Sequence, residues 1–272
     1  MNETFKALST EIQRFPGSVG IVLRDWNGEE FRYQAQQIFP AASTIKLPLL
    51  LGVLSLPDVD LQESILVTEA NRATGSGVLK SLSPSLALSL QDLLTLMIIV
   101  SDNTATNVIL DRFGLEFFNR YFAEQGWRDT HIGRRLCVPA REAHKEADDN
   151  LTSAQDLADM LTRLWRDSLL TAERRRLALD ILRQQHYLNF LRYLPVDADQ
   201  LENSPQALRI YSKSGSLRRA RHDAGIMALG NRVAILVVLT EAWQDLSFNP
   251  DNEGNKFLGR IGELVYRGLT RG

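Results

Sequence analysis

The chain has 272 residues, of which 44% are hydrophobic and 24% charged, with a formal net charge of −2. This composition is typical of a globular protein with one sizeable core, and the weak charge indicates no bulk affinity for nucleic acid or an anionic membrane. The single cysteine, Cys137, excludes an internal disulfide. The four histidines lack metal-ligand spacing, so we expect neither a metal nor a cofactor.

Helical and extended patterns follow each other in a simple order. A first helix is predicted over residues 3–14, and Asn27-Gly28 predicts a hairpin between the extended runs 18–25 and 29–36. Residues 44–54 then return to a helical pattern, in which Pro48 disturbs the first turn because it has no N–H.

A long, mostly helical middle follows, and the end of the chain returns to strands. The clearest helices in the middle are predicted over residues 89–100, 104–113, 115–125 and 153–165. Three strands are predicted over residues 207–215, 222–229 and 232–240. A last amphipathic helix is predicted over residues 255–267.

This order predicts an α+β fold. Strands from both ends of the chain pair most economically into one antiparallel sheet of about five strands, flanked by the terminal helices, with an all-helical lobe inserted. We expect residues 1–56 and 195–272 to form the α/β lobe and residues 57–194 the helical lobe. A binding site is then expected in the cleft between them.

Three short motifs carry the residues that suit acyl transfer. They are Ser43-x-x-Lys46, Ser101-Asp102-Asn103 and Lys213-Ser214-Gly215. Ser43 and Lys46 lie one helical turn apart, and a serine hydroxyl becomes a good nucleophile only when a base removes its proton. Lys46 suits that task if burial and a second cation, for which Lys213 is the natural candidate, lower the pKa of its ammonium group.

The three motifs together resemble those of class A β-lactamases and penicillin-binding proteins. The segments 39–46, 75–79, 101–110, 152–153 and 221–229 are also similar to this family, so the resemblance extends over roughly residues 18–267. It implies a β-lactamase-like fold and an acyl-enzyme formed through Ser43, with Lys46 as base. It further implies proton relay by Ser101 and Lys213, and an oxyanion hole from the backbone N–H groups of Ser43 and Ser216.

The resemblance also implies a set of substrate-binding residues. The side chains expected to bind the substrate are Asn103, Ser214, Ser216 and Arg221. Arg221 is expected to anchor a substrate carboxylate, with Arg219 as the competing candidate because the register of the strand is open.

The loop between residues 133 and 153 departs from the family pattern. Class A β-lactamases carry a glutamate there, in E-x-x-L-N, that activates the water for deacylation, and this motif is absent. Its usual position falls near Cys137. Glu146 has the family's spacing to Asn150 but lies too close to the next helix, and Glu142 has no spacing argument, so both are only candidates for the deacylation base.

We therefore expect a serine hydrolase that most resembles class A β-lactamases and acts on a small molecule. A DD-peptidase-like, esterase-like or penicillin-binding protein with slow deacylation is the alternative, as is a non-enzymatic sensor of β-lactams or peptidoglycan fragments. A monomer is expected. The sequence as written has no signal peptide or membrane segment, which leaves a cytoplasmic protein or an exported one whose leader was removed.

Overall fold

A computed structural model describes residues 2–83, 85–137, 149–166, 168–194, 207–241 and 244–271. Its α-helices are α1 (Asn2–Arg14), α2 (Lys46–Leu54), α3 (Leu90–Ile99), α4 (Asn103–Phe113), α5 (Leu115–Gln125), α6 (Ala154–Trp165), α7 (Ala172–Arg183) and α8 (Glu253–Arg271). Its strands are β1 (Ser18–Arg24), β2 (Glu30–Tyr33), β3 (Ile38–Pro40), β4 (Ser64–Val67), β5 (Leu86–Ser89), β6 (Leu151–Ser153), β7 (Leu208–Ser216), β8 (Ala220–Leu229) and β9 (Arg232–Glu241).

Five strands form one antiparallel sheet in the order β2-β1-β9-β8-β7. The strands from the N-terminal hairpin meet those from the C-terminal end where β1 pairs with β9, with Val22 opposite Val237. The hairpin turns at Gly28, whose φ of +85° suits glycine. The predicted α+β fold with a five-stranded antiparallel sheet is confirmed.

The two faces of the sheet contribute to two hydrophobic cores. Alternate residues of β1 face opposite ways, so Ile21 and Leu23 pack against the terminal helices α1 and α8. Val22 packs on the other side, with α2 and α6. The terminal helices therefore cover one face, and the helices from the middle of the chain cover the other. The division into lobes at residues 56 and 194 stays a prediction.

Two short antiparallel ladders lie outside the main sheet. β3 pairs with β6 and β4 pairs with β5, and the sequence did not indicate these strands because they have only three or four residues each. The β3–β6 ladder matters for the site, because β3 ends at Pro40 just before Ser43. The N–H of Ala41 continues this ladder by donating to the carbonyl of Asn150 at 2.7 Å.

Side-chain caps fix where several helices begin. Ser153 accepts a hydrogen bond from the N–H of Asp156 at the start of α6. Ser89 caps α3 in the same way through the N–H of Asp92. At the other end, α5 stops at Gly126, which has a left-handed φ of +84°.

Candidate active site

Ser43 lies at the start of a buried apolar helix. Residues Ala42–Ile45 form one turn of 3-10 helix that leads directly into α2. Pro48 follows this 3-10 turn. Because proline has no N–H, it cannot bond the carbonyl of Thr44 as a regular α-helix would require. Ala42 adopts a left-handed φ of +48°, a conformation that residues with a side chain rarely adopt and that is common beside active sites.

Lys46 is enclosed by hydrogen-bond acceptors. Its Nζ donates to the carbonyl oxygen of Ser101 at 2.7 Å, to Ser101 Oγ at 3.0 Å and to Asn103 Oδ1 at 2.7 Å. The side chain is fully buried. Burial, and then the positive charge of Lys213, hold the pKa of Lys46 well below its ordinary value. Burial and the charge of Lys213 thus ease the loss of a proton from this amine, which must occur before the amine can act as a general base.

Asp102 joins the Ser-Asp-Asn motif to the neighbouring loop. Its Oδ1 accepts from the N–H of Ala105 at 3.0 Å and so caps α4. Its Oδ2 accepts from the N–H groups of Val78 at 2.6 Å and Leu79 at 2.9 Å. Gly77 lies so close to this carboxylate that a Cβ there would be 2.3 Å from Asp102 Cγ. Asp102 thus holds the segment that contains Ser76 against the start of α4.

Lys213 belongs to β7, which runs along the segment of the nucleophile. A Cβ on Gly215 would lie 3.1 Å from the backbone nitrogens of Ser43 and Thr44, so glycine permits this close approach. Lys213 is fully buried, and its Nζ donates to the carbonyl of Ser214 at 2.9 Å. Burial lowers the pKa of Lys213 to about 7, although the nearby carboxyl group of Asp223 acts in the opposite direction.

His222 ties the sheet to the segment before Ser43. Its Nε2 donates to the carbonyl of Pro40 at 2.8 Å, and its Nδ1 accepts from the N–H of Thr240 at 3.1 Å. Burial lowers the pKa of His222 to about 4, so the ring is neutral in this arrangement. The backbone just before the nucleophile is therefore attached to two central strands.

The motifs meet at a cleft of about 400 Å³. Four predicted site residues line it, namely Ser43, Ser101, Ser214 and Ser216. Lys46, Asn103 and Lys213 are buried at the same place, through the hydrogen bonds described above. The structure therefore brings together seven of the predicted residues.

Arg221 does not line this cleft. Its Nη1 donates to the carbonyls of Leu217 and Ala220, and its Nη2 donates to the carbonyl of Ser247. The guanidinium carbon of Arg221 lies over the ring of Phe248, 4.9 Å from the centroid of the ring. This arrangement fixes the turn after β7 and does not support a direct contact with substrate. The competing candidate, Arg219, lies exposed in that turn.

Cys137 takes the place next to Asn103. Its Sγ accepts from Asn103 Nδ2 at 3.2 Å, so Asn103 connects the thiol to Lys46. No carboxylate oxygen bonds Lys46 or Asn103 in the part of the chain that the structure describes. Glu142 and Glu146, the candidates for the deacylation base, lie outside the described residues.

The sequence did not point to the remaining residues that line the cleft. They are Ser76, Tyr187, Asn189, Arg192, Phe248, Pro250 and Asn255. Most come from irregular segments after α7 and before α8, where no motif or periodicity marks them. Within the described ranges, no cluster of residues suited to hold a metal ion was found, and no helix is long and apolar enough to cross a membrane.

Comparisons with known proteins agree with this geometry. A family model described as "Beta-lactamase enzyme family" matches residues 3–269. β-Lactamase BRO-1 of Moraxella catarrhalis is 23% identical over 261 residues, which cover 93% of this chain and 80% of BRO-1.

Two solved structures show the same similarity. A β-lactamase from Sphaerobacter thermophilus DSM 20745 is 29% identical with a TM-score of 0.84, covering 98% of this chain and 97% of that one. A mutant of PBP-A, solved as an acyl-enzyme complex with penicillin G, is 25% identical with a TM-score of 0.83, covering 100% of this chain and 98% of that one.

Proposed function

Because the chain belongs to the β-lactamase enzyme family, we propose that it forms an acyl-enzyme through Ser43 on a β-lactam or a related amide or ester. The observation that carries this proposal is the enclosed, desolvated amine of Lys46. It lies one helical turn from a serine that lines the cleft. This is the combination that nucleophilic catalysis by serine requires, a hydroxyl and an adjacent base.

The proposed reaction assigns one task to each group. Neutral Lys46 takes the proton from Ser43 Oγ as this oxygen attacks the carbonyl carbon. The backbone N–H groups of Ser43 and Ser216 stabilise the negative charge on the carbonyl oxygen. The carbon–nitrogen bond then breaks, the leaving nitrogen receives a proton through Ser101, and the acyl group remains on Ser43.

Two neighbouring residues support these steps. Asn103 orients the amine of Lys46 through its Oδ1. Lys213 supplies the second positive charge, which favours neutral Lys46 over its ammonium form. Ser214 and Ser216 line the cleft, and in this proposal their hydroxyls donate hydrogen bonds to the substrate.

Intact-protein mass spectrometry with excess penicillin G tests the proposal. We expect an adduct of one penicillin in the wild type and none in Ser43→Ala. Ser55→Ala is the matched control, because Ser55 lies at the end of α2 and its hydroxyl bonds the carbonyl of Gly52. An adduct that forms on Ser43→Ala as readily as on the wild type would refute the assignment of the nucleophile.

A second candidate function is a penicillin-binding protein whose acyl-enzyme is long-lived. The observation that favours it is the thiol of Cys137 beside Asn103, where the described residues offer no carboxylate to take a proton from water. The solved PBP-A mutant is itself an acyl-enzyme with penicillin G. An adduct that persists after substrate is removed supports this function, whereas rapid turnover supports a β-lactamase.

Replacing the thiol sharpens that distinction. If the missing carboxylate limits the second step, Cys137→Glu should shorten the lifetime of the adduct at least tenfold, since positioned general bases contribute roughly 10²–10⁴-fold. Cys137→Ser is the matched control and should leave the lifetime near that of the wild type. A wild-type adduct that turns over rapidly, and slows in Cys137→Ser, would instead assign the thiol to the second step.

A further inference from the structure

The two N–H groups of the proposed oxyanion hole belong to separate parts of the chain. The N–H of Ser43 lies in the 3-10 turn that leads into α2, and the N–H of Ser216 lies at the end of β7. These elements pass close to each other at Gly215, where a Cβ would be 3.1 Å from the backbone nitrogen of Ser43. Such donors stabilise an oxyanion only if they are fixed in place before the reaction. The contacts that hold the two elements together therefore bear on the rate of acyl transfer.

The segment before Ser43 adopts a conformation that depends on its surroundings. The 3-10 turn has no side-chain cap at Ala41, and Ala42 has the left-handed φ of +48°. A residue in such a conformation persists only where neighbouring elements hold it. On one side the ladder of β3 with β6 supports the segment, and the N–H of Ala41 extends it to the carbonyl of Asn150. On the side of the main sheet, the support comes from His222.

His222 is connected to both halves of the oxyanion hole. Its backbone lies directly opposite Gly215 in the antiparallel pair β7–β8, in the part of the sheet that presents Ser216. Its ring reaches the other half, because Nε2 donates to the carbonyl of Pro40 at 2.8 Å. The N–H of Thr240 can only donate, so Nδ1 accepts from it and Nε2 carries the proton. One ring thereby joins the sheet to the backbone before the nucleophile.

The surroundings of His222 suit a residue that holds other groups in place. Its side chain is fully buried and does not line the cleft. The ring of Phe39 meets the imidazole edge-on, with 6.2 Å between the two centroids. Burial lowers the pKa of His222 to about 4, so at neutral pH the ring is uncharged and Nδ1 remains an acceptor. The ring is therefore placed to fix the backbone and not to contact a substrate.

We propose that His222 is a positioning residue for acyl transfer, whose ring keeps the N–H of Ser43 aligned with the N–H of Ser216. The inference rests on the proposed function, because the two N–H groups act on the carbonyl oxygen of the same substrate. Without the bond to Pro40, the segment can shift relative to β7, and the two donors no longer converge on one point. Loss of a whole oxyanion-hole donor costs roughly 10²–10³-fold in rate, so a partial misalignment should cost about 10- to 100-fold.

Two substitutions isolate the bond to Pro40. His222→Leu removes both hydrogen bonds of the ring and keeps a side chain of similar size. His222→Gln also leaves the N–H of Thr240 without its acceptor, but its amide NH₂ group can donate to the carbonyl of Pro40. Time courses of adduct formation at several concentrations of penicillin G give the limiting acylation rate constant and the apparent affinity. His222→Leu should lower the rate constant roughly 10- to 100-fold with little change in apparent affinity, and His222→Gln should recover most of that loss.

Val265→Ala is the control for a loss of stability alone. Val265 is fully buried on α8, in the core between the terminal helices and the sheet. The substitution should lower Tm, because it leaves a cavity, and should not change the acylation rate constant. The final amount of adduct per chain reports the folded fraction and should be the same in all of these proteins.

Amide hydrogen exchange tests the same contact without chemistry. Peptides covering residues 39–45 include the N–H of Ala41, which donates to the carbonyl of Asn150. This segment should exchange roughly tenfold faster in His222→Leu and near the wild-type rate in His222→Gln. An acylation rate constant of His222→Leu equal to that of the wild type overturns the inference and leaves the proposed nucleophile unaffected. If the wild type forms no adduct, the proposed function fails, and unchanged exchange in His222→Leu then overturns the inference by itself.

Discussion

Asp102→Asn tests whether the Ser-Asp-Asn motif is held by one carboxylate. The substitution keeps the shape of the side chain, and the amide oxygen can still accept from the N–H of Ala105. The amide NH₂ group, however, replaces the oxygen that now accepts from the N–H groups of Val78 and Leu79 at 2.6 and 2.9 Å. The N–H groups of Val78 and Leu79 then face another donor and lose their acceptor.

The expected cost follows from those two contacts. Hydrogen bonds to a charged group contribute about 1.5–3 kcal/mol each, so Asp102→Asn should destabilise the fold by roughly 3–6 kcal/mol. For a chain of this size each kcal/mol lowers Tm by about 2 °C, which gives a decrease of roughly 6–12 °C. The charge of Asp102 also raises the pKa of Lys46, so its removal should lower that pKa further.

Thermal unfolding followed by circular dichroism measures the effect. Asp92→Asn is the matched control, because Asp92 is exposed and its carboxylate accepts from the hydroxyl of Ser89. It should change Tm by no more than about 1 °C, as surface substitutions usually stay within about 0.5 kcal/mol. A Tm for Asp102→Asn within about 2 °C of the wild type would show that the loop containing Val78 and Leu79 is held by other contacts.

Three further substitutions test separate parts of the structure. The pKa of His222 is about 4 in the fold against 6.5 ordinarily, so the unfolded chain binds more protons between these values and stability falls as pH decreases. Between pH 6.5 and 4, the wild type should therefore lose roughly 3 kcal/mol more stability than His222→Gln, which is measured as a larger drop in Tm. Parallel curves of Tm against pH for the two proteins would contradict this. Gly262→Ala should lower Tm, because the new Cβ would lie 2.2 Å from the carbonyl oxygen of Phe190. Alanine in place of glycine usually stabilises a helix by about 1 kcal/mol, so a Tm above that of the wild type would contradict this prediction. Lys46→Met should slow acylation roughly 10²–10⁴-fold while exposed Lys256→Met does not, as measured by adduct formation over time.

The sequence predicted the fold well where local chemistry decides the structure. The hairpin at Gly28 and the apolar runs of the C-terminal strands each depend on neighbours in the chain. The antiparallel sheet then follows from the order of the elements. The ladders β3–β6 and β4–β5 were missed because segments of three or four residues carry too little pattern, and tertiary contacts decide them.

The residues of the three motifs could be predicted from the sequence, whereas most other residues that line the cleft could not. Ser43, Ser101 and Lys213 come from helix and strand ends whose positions the pattern fixes. Arg221 lies on the expected strand, but the direction of its side chain depends on the turn after β7, which composition does not determine. Arg192 and Phe248 line the cleft from irregular segments that are far apart in the chain, and local sequence pattern does not bring them together.

The position of Cys137 also has a practical consequence. The chain contains a single thiol, it is exposed, and its sulfur lies 3.2 Å from Asn103 Nδ2. A thiol-reactive fluorophore would therefore attach at one place without any engineered substitution. Its emission would respond to the polarity and water content beside Lys46. The protein thus carries its own attachment point for an optical probe of cleft occupancy.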